Sequence, residues 1–333
     1  MTYTEKYFME LYQSSVLHEA IERAAKIERE TSFRYRQEIL NIPINVHRIA
    51  WKRGIRIVSS LPMDAKEEAL LTQKDKGYLL HLKPNMPLRR ERFIIAHEIG
   101  HTLFYHKLKH QIGILDKKEL SAEENICNKF AITLLVPFEF VHQIMPQIPA
   151  GKPWHVFSTL ANTCSKFDIS LPALIPRLET TIKSLETSII ILIFCFRKNR
   201  FKGTEERLRV YGSCSLGDFK NIKIPFNRSA NGLNLKNTER LFEEWRGLLK
   251  SGGRKAGGMF RLDEDGNIIR RVTNNYSWID NFGWTDEEVC LSGKNRSKNK
   301  YNLLTSSVLI SRDDWNEDQA YIITIIRSKS NPY

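Results

Sequence analysis

The sequence has no apolar run long enough to cross a membrane as a helix: the longest, residues 189–196, falls far short of the ~20 residues a span needs. It also lacks a basic-then-apolar leader, since the opening MTYTEKYFMELYQ mixes acidic and aromatic side chains. Cysteine is scarce. Cys127, Cys164, Cys195, Cys214 and Cys290 are odd in number, scattered and never spaced as CxxC. That argues against a disulfide framework and a cysteine-only zinc site, and the expected location is a reducing cytoplasm. No internal repeat or low-complexity tract is present.

What is present is the composition of an ordinary globular protein. The 333 residues, 41% hydrophobic and 27% charged, suffice for two or three domains with real cores. The 51 Lys+Arg against 38 Asp+Glu leave a net charge of +13. Such a surface gains affinity for nucleic acid by releasing counterions from phosphates. The excess is spread out, however: residues 1–190 carry 26 basic and 21 acidic side chains, and residues 191–333 carry 25 and 17. Most of it reads as solvated surface.

Along the chain, Tyr7, Leu11, Val16, Ala20, Ile21 and Ile27 give the first forty residues a helical rhythm. Val46, Ile49 and Ala50 mark a short helix, Gly54 its stop, and residues 55–58 a strand. Residues 77–82 (GYLLHL) form a second strand. A largely apolar helix starts near Pro87 and runs to about His106, and another runs from Ser121 to about Leu135. Two short helices follow, near 154–167 and 171–178. After Glu186 the texture shifts to β-rich runs (189–196, 206–212, 303–310 and 320–326), interrupted by an amphipathic helix near 236–250.

The chemistry is concentrated in His97-Glu98-Ile99-Gly100-His101, an HExxH motif in mid-helix. Imidazoles at i and i+4 share one helical face and can share one metal ion. The glutamate between them can reach a metal-bound water and act as general base. Two surface histidines are the plain alternative. Phe93, Ile94, Ile95 and Ala96 make this a buried helix, where a face of two imidazoles is costly without a partner. Gly100 gives up roughly 1 kcal/mol of helix propensity, which suggests close packing by another segment.

A zinc site needs a third protein ligand. The extended pattern HExxHxxGxxH does not apply, because Phe104 and Lys107 stand where its glycine and third histidine belong. A carboxylate from the next helix is the other common solution, with Glu119, Glu123 and Glu124 as candidates. Helical angles do not separate Glu123 from Glu124, and Ser121 with Glu124 also forms an S-x-x-E capping box that needs no metal.

PLRRERFIIAHEIGHTLFYH followed by ENICNKFAITLLVP resembles the ImmA/IrrE family of metallopeptidases, with its RFxxAHExGH helix and its E-x-x-A-N-x-F-A-x-x-L-L-x-P helix. The resemblance spans roughly residues 42–178. It places the third ligand on Glu124, with Asn128, Phe130, Ala131, Leu134, Leu135 and Pro137 in register and Cys127 where the family usually has alanine. It implies zinc held by His97, His101 and Glu124, with Glu98 as base, although a His₂Glu set also accepts manganese. It further implies endoproteolysis of a protein, the family's known targets being helix-turn-helix transcriptional repressors that hold down stress-response or mobile-element genes. The expected fold is α+β: a mostly helical, zincin-like peptidase domain with a small sheet and an N-terminal helix over 1–150, a helix-turn-helix-like hairpin over 151–186, and a mixed α/β domain over 187–333. The last is read as a sensor or partner-binding module that gates the peptidase. Were residues 77–82 an exposed strand beside the metal, a substrate could extend the sheet there. Tyr105, His106 and Arg92 are oxyanion candidates, each also readable as a packing residue.

Weaker signals remain. The hairpin's second helix, LPALIPRL, offers one basic residue and contains Pro176, so packing is favoured over base reading. The basic stretches 197–202, 251–258 (SGGRKAGG) and 292–300 (SGKNRSKNK) read as solvated loops, and nucleic-acid contact through them is not favoured. Trp278 and Trp284 read as core residues, and His106 with His110 as surface. The alternative to a peptidase is a DNA-binding transcriptional regulator that uses the peptidase fold as a scaffold. A nuclease-like C-terminal half would need clustered ligands, and the acidic runs 263–265, 286–288 and 313–318 sit in expected loops.

Overall fold

Small and aliphatic residues recurring every three to four positions make α1, Leu17–Ser32, an amphipathic helix whose Ala20, Ile21, Ala24 and Ala25 are buried. In the computed structural model, the described residues are 17–33, 42–65, 67–110, 117–144, 153–181, 189–198, 206–216, 260–262, 268–270, 285–292, 298–311 and 320–327, with isolated positions between 219 and 243. Tyr7, Leu11 and Val16 of the expected N-terminal rhythm therefore lie outside them. Two compact units emerge, one drawn from Met1–Phe140 and Lys166–Arg177, the other from Val141–Ser165 and Leu178–Tyr333. Among the described residues the chain is mixed α and β, with a three-stranded, a five-stranded and a two-stranded sheet, consistent with α+β.

In the first unit α1 also buries Glu28 and Arg29, and each has a partner. Arg29 Nη1 donates to Thr133 O at 3.1 Å, and Glu28 Oε1 accepts from Arg53 Nη1 at 2.6 Å. Helix α2, Val46–Lys52, is capped by Asn45, whose Oδ1 accepts from the Arg48 N–H at 3.0 Å. Gly54 then turns the chain at φ +76° into β1, Ile55–Ser59. Strand β2 is Ala69–Lys74, and β3, Gly77–Leu82, opens on Gly77 at φ +136°. Tyr78 N–H donates to Gly54 O at 2.9 Å, and a Cβ on Gly77 would lie 2.4 Å from that same oxygen, so only glycine lets the two strand starts cross.

The sheet order is β1-β3-β2, with β3 parallel to β1 and antiparallel to β2. Gly77–Leu82, expected as an exposed strand that a substrate could extend, is instead the middle strand, with both edges already paired. The outer strands are β1 and β2.

Two long helices follow. Helix α3, Leu88–His110, carries the HExxH motif, and α4, Lys117–Leu135, follows it. Because α4 begins four residues before Ser121, that serine is interior to the helix and not at its start, where the alternative capping box would need it. Helix α5 is Phe138–Ile144, α6 is Pro153–Phe167, and α7 is Leu171–Thr181, with Pro176 inside it. Arg177, the one basic residue of α7, is only 1% exposed; its Nε donates to Val136 O at 2.9 Å and its guanidinium pairs with Glu22. It is a core residue rather than a base reader.

The second unit is built on an antiparallel sheet of order β5-β4-β10-β9-β8: β4 Ile189–Lys198, β5 Glu206–Leu216, β8 Thr285–Ser292, β9 Lys298–Ser311 and β10 Ala320–Arg327. A small hairpin pairs β6, Phe260–Leu262, with β7, Ile268–Arg270. Strand β4 is buried on both faces from Ile189 to Phe194, and Ile190, Leu192 and Phe194 pack with Leu208, Val210 and Ile322 in one core. The four expected strands coincide with β4, β5, β9 and β10. Asp286–Glu288, expected in a loop, lies in β8, and Lys298 and Lys300 open β9. The acidic runs 263–265 and 313–318, Arg254, Lys255, Trp278, Trp284 and most of the expected helix near 236–250 lie outside the described residues. Among the described residues no helix is long and apolar enough to cross a membrane.

Candidate metal centre

Helix α3 starts where the Arg90 and Glu91 N–H groups fold back onto Pro87 O, at 2.8 and 3.0 Å. Its Ile94, Ile95, Ala96, Ile99 and Leu103 are buried, and α4 answers with Ile126, Cys127, Phe130, Ala131 and Leu134. The helices come close together at Gly100. A Cβ there would lie 3.2 Å from Cys127 Cα, so the close packing expected at this glycine is what the fold uses it for. The helices run antiparallel, since His101 meets Glu123 near the start of α4 while His97 meets Asn128 further along it.

Each imidazole is held by its outer nitrogen. His97 Nδ1 is 3.0 Å from Asn128 Oδ1, and His101 Nδ1 is 2.8 Å from Glu123 Oε1. Both partners are acceptors, so both Nδ1 atoms carry a proton and the two Nε2 atoms are left to face each other, 3.0 Å apart. The Glu124 carboxylate closes the triangle, with Oε2 3.2 Å from His97 Nε2 and Oε1 3.3 Å from His101 Nε2. Three such atoms so close together share a proton or hold a cation among them.

Bonds of 2.0–2.2 Å to a tetrahedral zinc require ligand edges of about 3.3–3.6 Å, and the observed triangle is within a few tenths of an ångström of that. The donor set of two imidazoles and a carboxylate suits zinc and admits other divalent ions. Glu98 belongs to the same cluster, with ligand atoms of His97, Glu98 and His101 all within 4.8 Å of one another.

The electrostatics follow from this crowding. Burial, with the charge of His101 beside it, depresses the His97 pKa. Burial also pulls His101 down, but hydrogen bonds to Cys127, Glu123 and Glu124 outweigh it and raise its pKa. The hydrogen bond from His101 holds Glu124 below the usual carboxylate range, whereas burial raises Glu98 towards the range of a working base. Burial pushes the Cys127 thiol up to about 11, which keeps it neutral.

His97, Glu98, His101 and Glu124 are thus brought together. Glu123, a candidate third ligand on spacing, takes the outer nitrogen of His101 instead, and the side chain of Glu119 lies outside the described residues. Arg92 is buried with its Nε 3.4 Å from Asp168 Oδ2, and the side chains of Tyr105, His106 and His110 lie outside the described residues. The holding roles of Glu123 and Asn128 escaped the sequence reading. The signal was there, because a metal-bound imidazole needs a partner for its second nitrogen, and Asn128 sits one turn beyond Glu124 as His101 sits one turn beyond His97.

Residues 51–151 match the model of a peptidase family described as the IrrE N-terminal-like domain. Among solved structures, a Mycobacterium tuberculosis transcriptional regulator is similar at a TM-score of 0.44 and 12% identity, covering 98% of this chain and 80% of that one. A likeness that low bears on neither fold detail nor function. A search of curated proteins gave no match. The family model covers the whole of α3 and α4, and with them every residue of the ligand triangle. Residues 51–151 thus match a metallopeptidase-type family model, the IrrE N-terminal-like domain, which supports the resemblance to the ImmA/IrrE family.

Proposed function

We propose that this protein is a zinc-dependent endopeptidase in which His97, His101 and Glu124 hold the metal and Glu98 is the general base. The observation that carries the reading is the convergence of His97 Nε2, His101 Nε2 and the Glu124 carboxylate to 3.0–3.3 Å, with both outer nitrogens already engaged. Zinc, when bound, polarises the scissile carbonyl and makes water a nucleophile near neutral pH; manganese is the second candidate.

The chain's own residues supply the remainder. Glu98 takes the proton from the attacking water and passes it to the leaving amine nitrogen, a task suited to a carboxyl whose pKa burial raises. Asn128 and Glu123 keep the imidazoles from rotating. A substrate that binds by strand addition would do so at β1 or β2, the outer strands of the sheet.

The substrate is proposed to be a helix-turn-helix transcriptional repressor, whose cleavage would release stress-response or mobile-element genes. Residues 187–333 are proposed as the sensor or partner-binding part, acting in the cytoplasm. The test is elemental analysis of metal per chain for the wild type, His101→Ala and Glu124→Ala, followed by incubation with candidate repressors and Glu98→Gln as the inactive control. About one zinc per chain, lost in both variants, with cleavage abolished by Glu98→Gln, is the expected result. A wild type that takes up no metal when offered zinc overturns it, and salt-sensitive DNA binding that persists in Glu98→Gln would favour the regulator alternative.

A further inference from the structure

We propose that Glu28 and Arg53 are positioning residues for the metal centre, which makes helix α1, outside the family-matched segment, part of the frame that sets His101.

The turn of α3 that carries His101 is gripped from two sides. On one side Gly100 lies against the Cys127 backbone, with no room for a further methyl. On the other, Thr102 is fully buried, its hydroxyl donating to Ile99 O at 2.6 Å and accepting from Arg53 Nε. Arg53 is itself fixed. Its backbone N–H closes the end of α2 on Ile49 O at 3.0 Å, and its Nη1 donates to Glu28 Oε1 at 2.6 Å in an ion pair whose side chains are 4% and 6% exposed. Glu28 belongs to α1, held on the same core by Arg29 on Thr133 O and Arg177 on Glu22.

The relay therefore runs Glu28, Arg53, Thr102, and it ends one residue after a ligand. A carboxylate that fixes a guanidinium fixes the hydroxyl it donates to, and the hydroxyl fixes the pitch of one helical turn. An imidazole nitrogen that must sit about 2 Å from a metal tolerates little drift in that turn. Charge is suited to this work, because a desolvated ion pair has one good geometry and hydrophobic packing admits several.

The proposal rests on the metal centre described above, and the experiment separates the two. Cobalt(II) is titrated into the full chain and followed by its visible absorption, well below the melting temperature of every variant. Thr102→Val removes only the last link of the relay. Glu28→Leu combined with Arg53→Met removes the ion pair without leaving a buried charge, so it folds where Glu28→Gln alone does not. Ile21→Ala, a cavity in the same helix away from the relay, is the control. Both relay variants are expected to bind cobalt roughly tenfold more weakly, with altered absorption bands, while Ile21→Ala binds as the wild type does. Relay variants with unchanged affinity and spectrum, or an equal loss in Ile21→Ala, overturn the proposal. A wild type that binds no cobalt overturns the metal centre itself.

Discussion

The Glu123 carboxylate lies 2.8 Å from His101 Nδ1, on the opposite edge of the ring from Glu124. Two consecutive glutamates therefore touch one imidazole through different nitrogens, and their substitutions separate. Glu124→Ala removes a proposed ligand and is expected to abolish tight zinc binding. Glu123→Ala leaves the three proposed ligands in place and is expected to weaken zinc about 10–100-fold, the usual effect of losing a residue that orients a ligand. Competition titration with a zinc chelator distinguishes the two; equal losses would mean that the carboxylates share one role.

Asn128 does for His97 what Glu123 does for His101, through a neutral amide at 3.0 Å. Asn128→Leu is expected to weaken zinc by about tenfold or more, and Asn128→Asp, which keeps an acceptor at that place, to retain most of the affinity. Measuring both against Glu123→Ala in a double-mutant cycle shows whether the two rings are held independently.

Gly100→Ala sets helix propensity against packing. Alanine gains roughly 1 kcal/mol in an isolated helix, but its methyl meets backbone and Sγ of Cys127 at 3.2–3.3 Å. Because a buried helix backbone yields little, packing wins, and a net loss of about 1–2 kcal/mol is expected in denaturant unfolding. A stabilised variant would show that the two helices can part at no cost.

Gly77→Ala combines a left-handed φ with a Cβ 2.4 Å from Gly54 O. The substitution is expected to cost about 2–4 kcal/mol, and Gly54→Ala, strained in φ but with its nearest contact at 3.8 Å, less. Melting curves for the two variants test this order.

A metal bound at the proposed site would also contribute to stability. At free zinc 100-fold above its dissociation constant the folded state is expected to gain about 2.7 kcal/mol, a gain that chelation removes and that His101→Ala never shows. Calorimetry with and without chelator reads the difference.

Much of this architecture was legible in the sequence because central elements advertise themselves. The apolar helix around HExxH, the run IIILIF and the two glycines after α2 and before β3 each leave a local mark. Two outer strands leave less. Strand β2 reads ALLTQK and β8 reads TDEEVCLS, without the aliphatic run that marks β1 (IRIV), and neither was found. Missing β2 made β3 look like an edge. The choice between Glu123 and Glu124 was beyond periodicity for a related reason: the residues are one position apart on α4, and only the antiparallel placement of α3 assigns each to its own nitrogen of His101.

The first unit also takes in Lys166–Arg177, beyond the end of the matched segment. When residue 151 leaves the ribosome, the ligand helices have been synthesised, but Arg89 and Arg92 still lack Asp168, and Glu22 still lacks Arg177. The buried guanidinium that closes onto Val136 O, at the end of α4, is likewise yet to come. Assembly of this half is thus a late event in synthesis, and a fragment cut at residue 151 carries every proposed metal ligand but not the residues that finish its fold.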